Sequence, residues 1–401
     1  MQILDNHTMI QRWNRDMKEF IVHYLEKIIP VSFLLKTEGH TTKVGEEEPR
    51  FTVTIHKMPE KKALATSTSL ALGEAYMRGE IEVDKDLYEV LDLFLGHMDR
   101  FSTDRSVLKK LLFPSSSKKH QKEEVSSHYD IGNDFYRLWL DKTMSYSCAY
   151  FKKETDTLET AQIAKVDHIL EKLQLKEGMS LLDIGCGWGF LLLEAAKKYN
   201  ITGMGITLST EQKKEFERRI KEAGLEGRLS VRLMDYRELS ESGLQFDRVV
   251  SVGMLEHVGR DQYPLFLENV ESVLKQGGLF LLHYISAQKE FPGDPWIKKY
   301  IFPGGVIPSL REIIQLLPDY HFYTLDVESL RRHYNKTLLC WRENFNAHRP
   351  EIEEKMGVEF ARMWELYLAS CAATFHNGVI DLHQILMSKG INNELNWIRT
   401  V

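Results

Sequence analysis

One stretch decides the fold: it reads Leu181-Leu182-Asp183-Ile184-Gly185-Cys186-Gly187-Trp188-Gly189. The apolar residues before the first glycine are typical of a buried strand, and the apolar spacing of Phe190–Tyr199 predicts a helix. Glycines at 185, 187 and 189 permit positive φ angles and a close approach of the backbone to a ligand, which a Cβ atom would obstruct. The stretch therefore predicts a strand, a glycine loop and a helix that together hold a nucleotide.

The glycine spacing distinguishes two classes of nucleotide site. A dinucleotide loop has the pattern GxGxxG and an acidic residue about 20 positions further on. This chain has GxGxG, and the end of its second predicted strand reads Gly203-Met204-Gly205-Ile206-Thr207-Leu208-Ser209, without a carboxylate. The loop resembles that of the class I methyltransferases, which bind S-adenosylmethionine (SAM). A glycine-rich turn without a ligand is the alternative, but each of three alternating glycines weakens the junction that it occupies.

The composition argues against several classes of protein. A net charge of −6 is unusual for a dedicated nucleic-acid binder, which is normally basic. The four cysteines lie far apart, without metal-site or disulfide spacing, so we expect no metal ion and a reducing compartment. Residues 1–14 lack the apolar core of a signal peptide, and no apolar run reaches bilayer-spanning length. We therefore expect a cytoplasmic protein that at most lies on a membrane.

The chain divides into a small amino-terminal domain, a linker and a larger domain. Residues 1–105 show helical apolar spacing at 9–29, 70–78 and 87–97 and a strand-like run at 51–56, which predict a small α/β module. Residues 106–125 are rich in Ser and Lys and predict a linker. Residues 126–401 begin with alternating strand and helix patterns, which predict a doubly wound α/β domain. Its strands are expected near 180–184, 201–206, 229–233, 247–252 and 279–285.

The last third of the chain predicts a lid over this sheet. An insertion rich in Pro, Gly and aromatic residues covers 291–305, and helices are expected from 309, at 334–345 and at 358–375. We expect residues 382–388 to return to the sheet as its last edge strand.

Polar residues follow the second and third strands, at the edge where α/β proteins bind ligands. Ser209 and Gln212 fit a helix capping box as well as a ligand contact, and the sequence leaves both interpretations open. Asp235 and Tyr236 follow the third strand, where an acid can meet an adenine amine and a ring can pack beside it.

The fourth and fifth strands end in groups that are able to transfer protons. Glu256 and His257 follow the fourth strand, beside any methyl donor, although one of them could simply cap a helix or form a salt bridge. His283 lies near the end of the fifth strand, and in an apolar strand such a residue is commonly a core histidine with satisfied hydrogen bonds. Its position at the ligand-binding edge favours an active-site role.

Together these motifs resemble those of the cyclopropane-fatty-acyl-phospholipid synthases and the related mycolic acid cyclopropane synthases. The resemblance covers nearly the whole chain, and its stretches are 73–79, 127–136, 143–151, 182–189, 205–209, 256–259, 300–305 and 333–338. Ser145, where Thr is usual, and Gly132 are small departures that touch no proposed ligand.

The resemblance implies an enzyme that transfers a methylene group from SAM across cis double bonds of unsaturated phospholipid acyl chains, giving cyclopropane fatty acids. It implies SAM contacts at Tyr146, Ser147, Asp183, Gly185, Gly187, Thr207, Leu208, Gln212, Asp235 and Tyr236. It also implies a bound bicarbonate that acts as the general base. The positions matching that site are Cys148 and Ile285, through their backbones, with Glu256, His283 and Tyr334. Taken singly, Cys148 and Tyr334 also fit buried core residues.

The same resemblance implies the partners: membrane phospholipids, a second copy of the chain in a homodimer, and no nucleic acid. The lipid is expected to enter through residues 296–305, with the protein on the inner face of the membrane. Lys298, Lys299 and the basic residues between 105 and 122 are candidates for contact with anionic head groups. A solvated linker is the other interpretation of that basic run.

Two other functions remain as alternatives. One keeps the fold and transfers a methyl group to a lipid or small amine without closing a ring. The other is a non-catalytic lipid-transfer or membrane-binding protein with a relic SAM pocket, which the intact glycine loop and the presence of Glu256, His283 and Tyr334 disfavour.

Overall fold

The computed structural model describes residues 31–97, 132–290 and 293–396. The strands are β1 (Phe33–Thr37), β2 (His40–Val44), β3 (Thr52–Ile55), β4 (Ile81–Val83), β5 (Ser180–Ile184), β6 (Thr202–Thr207), β7 (Leu229–Leu233), β8 (Phe246–Val252), β9 (Leu274–Ser286), β10 (Phe322–Ser329) and β11 (Asp381–Lys389). The helices in the first half are α1 (Lys61–Thr66), α2 (Thr68–Met77), α3 (Leu87–Leu95), α4 (Asn133–Trp139), α5 (Leu158–Lys172), α6 (Phe190–Tyr199) and α7 (Thr210–Glu222). Those in the second half are α8 (Tyr263–Val273), α9 (Pro295–Tyr300), α10 (Leu310–Leu316), α11 (Arg331–Ala347), α12 (Arg349–Met356) and α13 (Val358–His376).

Several sequence predictions fall outside the described residues. They are the helix at 9–29, the linker at 106–125, the first five residues of the motif at 127–136 and the first two of the insertion at 291–305.

The chain forms two compact units, and the first contains a small α/β module. Its sheet has the order β2-β1-β3-β4, in which β1 and β3 are parallel and the other pairs antiparallel. Phe33 and Phe51 stack in its core with Phe94 of α3 across their edges. The predicted small α/β module is confirmed.

The first unit also includes residues from the last third of the chain. Its described members are 31–97, Asp294–Trp296 and Arg349–Asn377, so α12 and α13 belong to it by their contacts. The Arg362 guanidinium lies 4.2 Å from the centre of the Tyr76 ring and donates to the Tyr76 carbonyl at 2.6 Å. The Tyr76 hydroxyl donates in turn to Glu365 at 3.3 Å. The contact units thus group 349–377 with the first unit, and the predicted domain at 126–401 stays a prediction.

The second unit is built on a seven-stranded sheet with the order β10-β11-β9-β8-β5-β6-β7. The five strands from β9 to β7 are parallel, while β11 and β10 are antiparallel to their neighbours. All five predicted strands are present, and the predicted doubly wound α/β fold is confirmed. Leu181 and Leu182 show why β5 lies in the interior of the sheet: successive side chains point to opposite faces, and both are completely buried, in two different clusters.

The expectation that 382–388 forms the edge strand is wrong in its placement. Residues Asp381–Lys389 do form a strand, but β11 lies between β9 and β10, and the edge is β10. The apolar side chains of β10, Tyr323, Leu325 and Val327, are exposed, whereas its carboxylates Asp326 and Glu328 pair with Lys172. Because its inner face is the charged one, β10 lacks the usual pattern of a half-buried strand.

The strand order places the site. From β5 the chain continues to β6 and β7 on one side and then crosses to β8 on the other, which leaves a crevice beyond the carboxyl ends of β5 and β8. In the described part of the chain, no helix is long and apolar enough to cross a membrane.

Candidate active site

A pocket opens at the carboxyl ends of β5, β6 and β8, where the sequence predicts the nucleotide. All ten predicted SAM contacts line it: Tyr146, Ser147, Asp183, Gly185, Gly187, Thr207, Leu208, Gln212, Asp235 and Tyr236. They come from four separate segments of the chain, which the sheet order brings together.

Asp183 is an acidic group at the base of the glycine loop. Its side chain is buried, and its Oδ1 atom has no hydrogen-bond partner within the described residues. Burial raises the pKa of this carboxyl to about 7, and the nearby Lys165 ammonium opposes that shift. A buried carboxylate oxygen without a donor costs free energy, so the pocket is suited to a cationic or hydrogen-bond-donating ligand at this point.

Ser209 and Gln212 have different roles: Ser209 caps a helix, and the side chain of Gln212 lies at the pocket. Ser209 caps α7, because its hydroxyl accepts from the Gln212 N–H at 3.3 Å. The Gln212 side chain does not complete a capping box; it accepts from the Thr207 hydroxyl at 2.8 Å and lines the pocket. The capping interpretation therefore explains Ser209, while the side chain of Gln212 lies at the ligand site.

Asp235 and Tyr236 line the pocket but also have structural contacts. The Asp235 carboxylate caps a short 3₁₀ helix, Tyr236–Glu238, and binds the Arg237 guanidinium at 2.6 and 2.9 Å. The Tyr236 ring packs edge-on against Phe266, with 5.4 Å between ring centres. The pairing with Arg237, which no motif predicts, holds Asp235 in a fixed orientation at the pocket wall.

Two polar side chains on α5, which the sequence analysis missed, support the wall that carries Tyr146 and Ser147. Gln162 donates to the Ser147 carbonyl at 2.9 Å, and the Lys165 ammonium donates to the Ser147 hydroxyl at 3.0 Å. Both side chains are buried. The sequence does contain one indication of this role. Gln162 and Lys165 are three positions apart, so both polar side chains lie on the face of the amphipathic helix that is otherwise apolar.

The five predicted base-site residues do not line this pocket; they lie on neighbouring segments. Glu256 is in a short 3₁₀ helix, Leu255–His257, and its Oε1 atom accepts from the Ile285 N–H at 2.6 Å. Its Oε2 atom is buried without a partner among the described residues, and burial raises the pKa of the carboxyl to about 7. The Ile285 N–H, expected to serve a bound anion, is thus engaged by Glu256.

His283 is a neutral, fully enclosed imidazole on β9. Burial lowers its pKa to about 3, and the Gln384 amide lies 3.1 Å from Nδ1. With the amide as donor to Nδ1, the ring proton is on Nε2, which has no partner within the described residues. The interpretation as a core histidine with satisfied hydrogen bonds therefore accounts for only one of its two nitrogens.

Cys148 and Tyr334 meet at the start of α11. The Cys148 thiol is completely buried and lies 3.9 Å from the Leu330 carbonyl, which also accepts from the Tyr334 N–H at 3.1 Å. Burial raises the pKa of the thiol, so Cys148 remains protonated and is not a nucleophile. The structure thus brings these two residues together through Leu330.

Thr337 joins the two segments that carry Cys148 and Tyr334. Its hydroxyl accepts from the Ala149 N–H at 3.0 Å and donates to the His333 carbonyl at 2.7 Å, and the residue is fully buried. We expect Thr337→Val to cost about 1–3 kcal/mol of stability, because the Ala149 N–H loses its acceptor, and to lower turnover. Thermal melting and activity assays test this. Thr337→Ser, which keeps the hydroxyl, is the control, and wild-type behaviour of the valine variant would contradict the prediction.

The carboxyl end of the insertion after β9 contacts the 3₁₀ helix Leu255–His257, which carries Glu256. The Val306 N–H donates to the Glu256 carbonyl at 2.9 Å, and the Phe302 ring lies edge-on to His257. Trp296, expected at the lipid entrance, is instead 3% exposed in the first unit, with Nε1 3.3 Å from the Met77 sulfur. The lipid entrance at residues 296–305 therefore stays a prediction, with Trp296 buried at its start.

The described residues hold no cluster of three or more His, Cys, Asp or Glu side chains able to bind a metal ion. The groups at the site are instead a glycine-lined pocket, a carboxyl with a pKa near 7 and a neutral imidazole. Such a set can bind a nucleotide-like molecule and exchange a proton near neutral pH.

Comparison with known proteins identifies relatives over most of the chain. The family model for mycolic acid cyclopropane synthetase matches residues 116–385, and a domain of unknown function matches 17–106. The cyclopropane-fatty-acyl-phospholipid synthase of Escherichia coli strain K12 is 42% identical over 84% of this chain and 88% of its own. A probable fatty acid methyltransferase of Pseudomonas putida is 38% identical over 90% of this chain and 93% of its own. A crystal structure of a mycolic acid cyclopropane synthase with SAH (S-adenosylhomocysteine) and CTAB superimposes with a TM-score of 0.63. It is 34% identical and covers 68% of this chain and 100% of that chain.

Proposed function

Because the chain belongs to the mycolic acid cyclopropane synthetase family, we propose that it transfers a methylene group from SAM across cis double bonds of unsaturated phospholipid acyl chains. The observation that carries the proposal is the pocket, which gathers all ten predicted SAM contacts around the glycine loop. The SAH-bound relative supports the identity of the methyl donor.

The reaction places two demands on the protein. It forms two C–C bonds between the transferred carbon and the alkene carbons. It breaks one S–C bond, one C–H bond and the π bond of the alkene, and it releases SAH and a proton. An alkene is a weak nucleophile, so much of the rate enhancement comes from holding it in line with the sulfonium methyl in a dry site. A group that accepts the proton must also lie beside the transferred carbon.

We propose that bicarbonate supplies this base when it is bound. The Oε2 atom of Glu256 is a buried acceptor and the Nε2 atom of His283 a buried donor, and both lack partners within the described residues. Bicarbonate has one hydroxyl to donate and further oxygens to accept, so the two groups fit it. Glu256 and His283 would hold the anion, and the pKa of Glu256 near 7 keeps part of its carboxyl ionised at neutral pH.

A labelling experiment tests the reaction itself. The protein is incubated with methyl-labelled SAM and liposomes of an unsaturated phospholipid, and the acyl chains are then analysed. We expect a mass gain of one CH2 per double bond, with loss of the alkene signal in the NMR spectrum. No label in the lipid would exclude the proposed activity and favour a non-catalytic lipid-binding protein.

A second candidate is methyl transfer to an acyl chain without ring closure. The Pseudomonas putida relative, named a probable fatty acid methyltransferase, favours it. The same labelling experiment separates the two, because a methyl branch gives a methyl doublet in the NMR spectrum where a ring gives none.

We further propose that the protein acts as a homodimer on the inner face of the membrane, attached peripherally. Lys299 is exposed on α9, beside the half-buried Lys298. If such charges contribute, raising the salt concentration from about 0.1 to 1 M shortens the screening length from about 10 to 3 Å and should release the protein from anionic vesicles. Sedimentation with vesicles measures this, with uncharged vesicles as the control. Salt-independent binding would show that charge does not attach the protein.

A further inference from the structure

Lys165 is a buried cation in the wall of the pocket. It lies on α5, its side chain is 4% exposed, and it borders the cavity beside Ser147 and Asp183. Among the described residues its ammonium donates one hydrogen bond, to the Ser147 hydroxyl at 3.0 Å, and forms no salt bridge. An ammonium has three donors, so its capacity is not filled by these contacts.

Asp183 presents the opposite charge to the same cavity. Its Oδ1 atom is buried without a partner within the described residues, and its charge acts on Lys165 without a direct salt bridge. Burial lowers the pKa of Lys165 to about 8, and Asp141, Cys148 and Asp183 oppose that shift. The pocket therefore holds one buried cation and one buried anion that do not pair directly.

We propose that Lys165 completes a subsite for the amino-acid end of SAM, in which its ammonium binds the α-carboxylate. Asp183, already among the SAM contacts that the family resemblance implies, would bind the α-ammonium in the same subsite. This proposal rests on the proposed function and adds a recognition residue to it. Buried charges without partners are costly, and a zwitterionic ligand would supply the missing partner to each. Both residues line the pocket and their charges act on each other, so a single small ligand can contact the two.

The subsite makes a specific demand on the ligand. Charge-assisted hydrogen bonds are stronger than neutral ones, so wild-type protein should bind SAH about 10- to 100-fold more tightly than the SAH analogue that lacks the α-carboxylate. In Lys165→Met this preference should fall to within a few-fold of unity, because only the carboxylate-containing ligand loses a partner. Lys165→Arg, which keeps the positive charge, should retain most of the preference.

Isothermal titration calorimetry with the two ligands measures the coupling between Lys165 and the carboxylate. Lys197→Met is the matched control: that lysine is exposed on α6, pairs with Glu194 at 3.2 Å and lies outside the pocket, so both affinities should stay unchanged. Equal weakening of both ligands by Lys165→Met would overturn the proposal and assign Lys165 only to support of Ser147. Equal binding of both ligands by the wild-type protein would overturn it without any variant, even if Lys165→Met fails to fold.

The binding assay is independent of the lipid reaction. If the protein binds SAH with the expected preference but makes no cyclopropane, the subsite stands and the proposed product fails. If it binds neither ligand, both the proposed function and the subsite fail.

Discussion

Gly187→Val is expected to abolish SAM binding while leaving most of the fold intact. Gly187 lines the pocket with a φ of +54°, in the left-handed region, and an added Cβ atom would meet no protein atom within 4 Å. The protein therefore tolerates the valine side chain, but this side chain would keep the ligand from approaching the backbone of the loop. The strain of a non-glycine residue at this φ adds about 1–2 kcal/mol.

Gly189→Val is the matched control for this prediction. Gly189 has a φ of +83°, but an added Cβ there would overlap the ring of Phe216, which is completely buried. We expect this variant to lose stability through the core, whereas Gly187→Val should keep a normal circular dichroism spectrum and lose its heat of SAH binding in calorimetry. Normal SAH affinity in a folded Gly187→Val variant would place the cofactor elsewhere.

The difference between these glycines shows what the sequence could not predict. The pattern GxGxG predicts a loop that approaches a ligand, and the loop is where it was expected. The sequence does not reveal that Gly189 is required by a side chain of α7, because Phe216 is 27 positions away along the chain. Long-range packing of this kind depends on the finished fold.

The sheet also contains one strand, β10, that depends on long-range contacts and could not be predicted from the sequence. Strands β5 to β9 were predictable, since each is a short stretch with apolar residues that a helix or a turn follows. β10 was missed because its exposed face carries Tyr323, Leu325 and Val327, and its inner face carries Asp326 and Glu328. Glu328 pairs with Lys172 and His168, about 160 residues away, and this pairing allows the inner face of β10 to carry charges while its outer face is apolar.

The contacts of α12 and α13 with the first unit could not be predicted from the sequence either. α13 follows the catalytic motifs in sequence, yet its Arg362 and Glu365 contact Tyr76, nearly 290 positions earlier. Contiguity along the chain favours a single carboxyl-terminal domain, but the contacts do not follow it. Deleting residues 1–120 would therefore also expose the face of α13 that packs on α2 and α3.

Glu256→Gln is expected to lower turnover by roughly 10- to 1,000-fold, the range for positioned acid–base and electrostatic groups. Glutamine keeps the shape, and its amide oxygen can still accept from the Ile285 N–H, but the charge at Oε2 is lost. SAH affinity should change little, because Glu256 does not line the cofactor pocket. Steady-state activity on liposomes and calorimetry with SAH measure the two effects separately.

The pH dependence of stability tests whether the lower turnover of Glu256→Gln comes from lost function or from a destabilised fold. The pKa of Glu256 is raised from 4.5 to about 7 in the folded protein, so its contribution to stability is fully present below about pH 4.5 and is lost as the pH rises through 7. The burial of this group then costs the wild-type protein about 3 kcal/mol at pH 8. Glu256→Gln lacks that cost, so its melting temperature relative to wild type should rise between pH 5 and pH 8. A relative fall over that range would show that the carboxylate stabilises the fold.

Tyr334→Phe tests whether the same site includes the start of α11. The substitution removes one hydroxyl from a residue that is 8% exposed, and a loss of turnover in the same range is expected if this hydroxyl helps to hold the base. Added bicarbonate should then partly restore the weaker of the two variants and raise the activity of wild-type protein depleted of carbonate. Gas chromatography of the cyclopropane product across bicarbonate concentrations measures this. Near wild-type rates in both variants, without any dependence on bicarbonate, would make Glu256 and Tyr334 structural and place the base on another group.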